Sequence, residues 1–137
     1  MDILDLATDM TLMYVTASSF PEGIPEAHAR LKRLVSFSAG RNYFGLSRPE
    51  QGGPIVYRAA AEEREPGEAE KYRCPTLILK KGKYAYRVLT DFRENPQNIG
   101  IVFRELLAAS DLDPEGYCVE WYANHEEVVK CMVRLRD

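Results

Sequence analysis

Long hydrophobic runs are missing from this 137-residue sequence. No apolar stretch approaches the ~20 residues that cross a bilayer, and Met1-Asp2-Ile3-Leu4-Asp5 lacks the basic-then-apolar order of a secretory signal. A membrane partner is therefore not expected, and the sequence reads as that of a soluble, cytoplasmic protein. Cysteine is scarce. Cys74, Cys118 and Cys131 are odd in number and none stands in a CxxC pair, so free, mostly buried thiols are expected rather than a disulfide framework. A stripe of one charge is missing as well: 18 Lys+Arg against 21 Asp+Glu give a net charge of -3, with the basic residues scattered. That pattern argues against direct contact with nucleic acid, whose phosphates call for clustered cations.

Catalytic and metal signatures are equally thin. His125-Glu126-Glu127-Val128-Val129 lacks the second histidine of a zinc-binding HExxH and falls in an expected turn at residues 123–125. Cys118, His125 and Cys131 can be drawn as a metal site, but strand parity sets the two thiols on opposite faces and no close pair of ligands supports them. Gly45-Leu46-Ser47-Arg48-Pro49 is not a nucleophile elbow, and no glycine run makes a phosphate loop. No metal and no cofactor are expected. His28 reads as a surface residue of the first helix.

Tyrosine, by contrast, is plentiful: eight, against one tryptophan and five phenylalanines. An apolar ring with a polar tip suits a cavity that must be greasy and still able to hydrogen-bond.

The sequence also carries a repeat. Slid along itself, it sets Tyr14 on Tyr86, Phe20 on Phe92, Leu31 on Phe103, Leu34 on Leu106 and Val35 on Leu107. Residues 10–19 and 84–90 are β-branched and aromatic, as strands should be, with short strands at 3–6 and 76–80 ahead of them and a turn at Lys81-Gly82-Lys83. The strand at 3–6 is expected to pair with the one that follows it. Ala27, Leu31, Leu34 and Val35 fall on one helical face after Pro25; Ile99, Val102, Phe103, Leu106 and Leu107 do so after Asn95-Pro96, with Asn95 as the cap. Residues 42–47 and 55–61 in the first half, and 117–122 and 128–135 in the second, complete two βαββ units. These span about residues 1–61 and 74–136, joined by a charged linker at 62–73 that is too polar to order itself strongly. The fold expected is α+β: tandem βαββ repeats in one largely antiparallel sheet, two helices on one face and a central ligand groove.

In Tyr117-Cys118-Val119-Glu120-Trp121-Tyr122 the period of two sets Val119 and Trp121 on one face and Cys118, Glu120 and Tyr122 on the other. Val119 and Trp121 are expected to face the helices and Glu120 to point away from them. Two readings of Glu120 stay open: an acid on the wet side of the sheet, or a carboxylate desolvated inside an aromatic groove, where its pKa would rise and a ligand cation would relieve the burial. Tyr57, Tyr84, Tyr86, Phe44 and Met132 are candidates for the groove wall.

Leu77-Ile78-Leu79-Lys80-Lys81-Gly82-Lys83-Tyr84-Ala85, the helix end Phe103-Arg104-Glu105-Leu106-Leu107 and Tyr117–Tyr122 together resemble the GyrI-like family, the effector-binding domain of several bacterial multidrug-responsive transcription activators. Asn42-Tyr43-Phe44-Gly45-Leu46-Ser47 looks like that family's first-half strand, where a glycine usually stands opposite the second-half glutamate. The resemblance covers nearly the whole sequence. It implies a tandem βαββ fold with a groove at its pseudo-twofold axis, and a glutamate, here Glu120, in a tyrosine-rich pocket for bulky, aromatic, often cationic compounds, with Tyr122 continuing the wall. There is no room before Met10 for a helix-turn-helix, which points to a stand-alone domain that sequesters a compound or presents it to a separate regulator. Two alternatives follow from the same resemblance: a hydrolase of cyclopropane-bearing genotoxic compounds using Glu120 with Tyr122, and a module that binds DNA gyrase. Whether chemistry occurs is left open.

Overall fold

The computed structural model describes residues 2–35, 38, 40–90, 92–122 and 128–137. Their strands are β1 (Asp2–Leu6), β2 (Met10–Thr16), β3 (Tyr43–Pro49), β4 (Ile55–Glu62), β5 (Thr76–Leu79), β6 (Gly82–Leu89), β7 (Cys118–Tyr122) and β8 (Val129–Arg134), and their helices α1 (Ile24–Leu34), α2 (Glu68–Tyr72) and α3 (Gln97–Leu106). All eight strands form one antiparallel sheet in the order β1-β6-β8-β7-β3-β4-β2-β5, and the fold is α+β, as the patterning implies. The order is palindromic: each strand's mirror position holds its counterpart in the other half, so the centre of the sheet is the β3–β7 pair. The turn expected at 123–125 lies outside the described residues.

β1 does not pair with β2. It pairs with β6 in the second half, while β5 pairs with β2 in the first, so each half lends its opening strand to the other. This exchange dictates the sheet's shape. β1 and β2 are consecutive in sequence yet first and seventh in the sheet, a separation of about 29 Å across a flat sheet at ~4.8 Å per strand. The chain from Leu6 to Met10 reaches about 14 Å at most. The sheet must therefore curl until its two ends approach, and Leu4 and Leu6 of β1 pack in the same apolar cluster as Leu79 of β5.

Curling gives the sheet two buried faces. On the convex face α1 sets Ala27 and Leu31 against Met13, Val15, Ala59 and Ala61, and α3 sets Val102, Phe103 and Leu106 against Ala85, Cys131 and Val133. The concave face closes on itself around Leu12, Phe44, Leu46, Ala60, Leu79, Tyr84, Val119 and Met132. Strands therefore carry apolar residues at successive positions, as in Ala59-Ala60-Ala61, instead of alternating apolar with polar.

Several local expectations change. Leu34 and Leu107 are exposed, each at the edge of its helical stripe. α3 begins at Gln97 with Pro96 as its cap, and the Asn95 carbonyl accepts from the Asn98 amide. Gly82 is not a turn residue but the first residue of β6, with a positive φ of 132° beside the Arg134 guanidinium, where a Cβ would not fit. The charged connector contains α2, because Glu68 is held by two bonds of 3.0 Å from buried Arg41. That guanidinium, with the amides of Arg64 and Glu65, holds the Glu68 carboxyl down at about 2. The segment is thus tied down by that ion pair, by the Ala69 amide donating to Glu63 and by Ala69 and Tyr72 packing on the core beneath α1.

Candidate functional site

Strand register brings the first two site residues together. β3 pairs with β7 so that Gly45, at the centre of the sheet, faces Glu120, and β8 sets Cys131 on the far side of Glu120. Gly45 leaves space that its neighbours fill: a Cβ there would lie 2.0 Å from the Tyr57 hydroxyl oxygen and 2.6 Å from Glu120 Oε1. Tyr57, reaching across from β4, donates its hydroxyl hydrogen to Glu120 Oε1 at 2.9 Å, and Tyr122 donates to the same oxygen.

Glu120 is only 8% exposed, and among the described residues no lysine or arginine pairs with it. Burial pushes its carboxyl above the ordinary range, and the two hydroxyls recover only part of that cost. The same burial, with the Glu120 charge beside them, drives both tyrosine hydroxyls upward. Cys131 is pushed up to about 12 and Cys118 to about 11, by burial first and by Glu120 second, which makes both inert thiols at neutral pH.

Glu120 and Tyr122 share a face, as parity implies, and Tyr57 joins them from β4, but the face is the reverse of the one expected. Glu120, Cys118 and Tyr122 point toward the helices, while Val119 and Trp121 pack in the concave core. Register also sets Cys118 and Cys131 on one face, not on opposite ones, since Cys131 is opposite Glu120 and Cys118 is two residues from it. The other candidates are separated from the site by the sheet itself. Phe44, Tyr84 and Met132 are fully buried on the concave face, with Tyr86 beside them, and Tyr84 satisfies its hydroxyl on the Lys80 carbonyl at 2.6 Å.

The residue that sequence reasoning missed is His28. Its Nε2 lies 2.7 Å from the Tyr57 hydroxyl oxygen, and its ring meets Tyr57 and Tyr122 edge-on at 5.7 and 5.5 Å. The hydroxyl hydrogen of Tyr57 goes to Glu120, so its oxygen accepts from His28 Nε2–H, and a hydrogen-bond chain runs from His28 through Tyr57 to the carboxylate. The available signal was helical spacing: His28 is three residues from both Pro25 and Leu31, which share its wall. Phe20 and Phe92, which coincide in the repeat, each cover one tyrosine, Phe20 stacked on Tyr57 and Phe92 tilted against Tyr122.

Above this group lies a cavity of about 340 Å³. α1 contributes Pro25, His28, Leu31 and Lys32, the sheet Tyr43 and Tyr122, and the segment before α3 Phe92 and Arg93. Glu120 sits beneath this lining, behind the tyrosine and histidine rings. The cavity exists because α1 packs on β2 and β4 and α3 on β6 and β8, leaving β3 and β7 between them without a helix. Two smaller cavities, of about 250 and 240 Å³, share Arg48, Asp113, Tyr117 and Arg134, whose charges are already matched: Arg134 by Asp113 and Asp137, Arg48 by Glu50. Among the described residues no cluster of histidine, cysteine and acid could hold a metal, and no helix is long and apolar enough to cross a membrane; His125 lies outside them.

No protein-family profile matches the sequence, and no curated protein matches it. Solved structures do share its fold. An integron cassette protein, VCH_CASS2, from the mobile metagenome of Vibrio cholerae superimposes with a TM-score of 0.66 at 15% identity, over 98% of this chain and 95% of its own. SAV2435, solved bound to tetraphenylphosphonium, superimposes with a TM-score of 0.65 at 13% identity, over 98% of this chain and 93% of its own. At these identities the likeness is one of fold.

Proposed function

We propose that the protein is a GyrI-like binder of bulky aromatic cations, which it takes into the cleft between α1 and α3 with Glu120 as its anionic anchor. One observation carries this reading: a buried carboxylate with hydroxyl donors and no cationic partner among the described residues. Burying a charge without a counter-ion costs several kcal/mol, and an incoming cation relieves that cost while aromatic faces attract it. The cleft offers Tyr43, Phe92 and Tyr122 as such faces. The bound tetraphenylphosphonium of SAV2435, a fold neighbour, is a ligand of this class.

The hydrolase reading has less support. A carboxyl with a raised pKa suits a general base, but Tyr57, Tyr122 and His28 cover Glu120, and it does not line the cavity where water and substrate would meet. A gyrase-binding role draws no support from the cleft.

Calorimetric titration at alkaline pH with tetraphenylphosphonium and with neutral triphenylphosphine oxide tests the proposal. Glu120→Gln should weaken the cation by about 30-fold, the effect of removing one partner of a buried charge pair, and leave the neutral compound almost unchanged. Equal losses for both compounds would end the charge-recognition reading.

A further inference from the structure

The cation in the proposed function must reach the field of Glu120 past His28. That imidazole sits edge-on between the two tyrosine rings whose hydroxyls hold the carboxylate, and it also forms part of the cavity wall. Its Nε2–H is committed to Tyr57, which in turn is committed to Glu120. In the neutral ring with hydrogen on Nε2, protonation occurs at Nδ1, so the Nε2–H bond to Tyr57 and the chain to Glu120 survive it. The site can therefore gain a positive charge while the chain from His28 through Tyr57 to Glu120 is kept.

We propose that His28 is the specificity-determining residue of this cleft: a resident ionisable group that competes with a bound cation for Glu120, admitting cations when neutral and refusing them when protonated. This rests on the binding reading above and names the regulation of that same site. The charged and titratable groups around the ring set the sign. From α1 comes Lys32, one turn along; from the segment before α3, Arg93; from β3, Tyr43; from β4, Tyr57; and from β7, Tyr122 and Glu120. Glu120 is the carboxylate that the described residues link to the ring, and an imidazolium joined to it through a single hydroxyl offsets the charge that recognises a cation. Binding of a cation must then expel the His28 proton, and by linkage that proton opposes the cation equally.

The sequence has two histidines, so the imidazole resonances of His28 and His125 can be followed by NMR from about pH 5 to about pH 8, with His28→Gln giving the assignment. Glu120→Gln should lower the His28 midpoint, because an anion that favours the imidazolium has been removed, and Tyr57→Phe should lower it less. In parallel, wild-type affinity for tetraphenylphosphonium should rise by up to ~10-fold per pH unit on the acid side of that midpoint, the limit for one coupled proton. His28→Gln should flatten this dependence. A His28 midpoint unmoved by Glu120→Gln overturns the proposal, and so does a His28→Gln variant that keeps the full pH slope, which would assign the titration to Glu120 alone. If wild-type protein binds no tetraphenylphosphonium at any pH, the binding reading fails and with it the gate, while the midpoint shift separately decides whether His28 and Glu120 are coupled.

Discussion

The two faces of the curled sheet are both rich in aromatic side chains, yet they do different things. The concave face buries Phe44, Tyr84 and Met132, and its polar tips are satisfied locally, as Trp121 is on Asn42 and Tyr84 on Lys80. The cavity of about 250 Å³ beside Leu79, Tyr84 and Val119 has Arg48, Asp113 and Arg134 of its lining already paired. The convex face, between the helices, directs Tyr57 and Tyr122 onto one carboxylate and leaves a cavity above them. Aromatic content alone does not distinguish a core from a site. An uncompensated buried charge does, because a core has no use for it and a binding site does.

This contrast can be broken from either side. The largest effect should come from the concave face: Phe44→Ala should cost about 3–5 kcal/mol of stability in urea unfolding, the usual range for emptying a phenylalanine site, with ligand affinity of the folded fraction kept. Loss of affinity at full stability would make that face the site. Gly45→Ala comes next. Its methyl has no room between Tyr57 and Glu120, so about 1–3 kcal/mol of stability should go together with most of the affinity for tetraphenylphosphonium. Unchanged calorimetry would show that the two side chains are not held in contact.

Glu120→Gln should act in the opposite direction on stability. A carboxyl raised by burial contributes stability that is fully present below its unfolded-state pKa and is lost as pH rises through the higher folded value. Gln escapes that loss, so the melting temperature of the variant should exceed that of the wild type by about 4 °C or more at pH 8, and the gap should close toward pH 4. A gap that does not depend on pH would remove the buried charge from the account. The smallest effect should be that of Tyr84→Phe, about 1 kcal/mol for a lost bond to the Lys80 carbonyl, with no change in ligand affinity.

Part of the candidate site was legible before the fold. Period-two parity joined Glu120 to Tyr122, and the resemblance set a glycine opposite the glutamate, which the Gly45–Glu120 register bears out. Which side of the sheet the acid faces was not legible. Parity sorts residues into two sets without naming the buried one, and a curled sheet buries both. Tyr84, Tyr86, Phe44 and Met132 were drawn into the wall for that reason. His28 was expected at the surface of the first helix; it is half-buried because the segment before α3 stands across the cleft from it, which is a long-range fact. The exchange of β1 and β5 was invisible for the same reason, since short strands pair with whatever curvature brings near.

That exchange has a consequence for how the molecule responds to a ligand. Neither half can complete its own strand set, so the halves are interlocked like clasped hands, and the cleft lies on the line where the palms meet. Fragments divided near residues 62–73 should be mutually dependent partners, each templating the other, and any compound held between α1 and α3 should act as a glue whose affinity is read directly in how tightly the fragments reassemble.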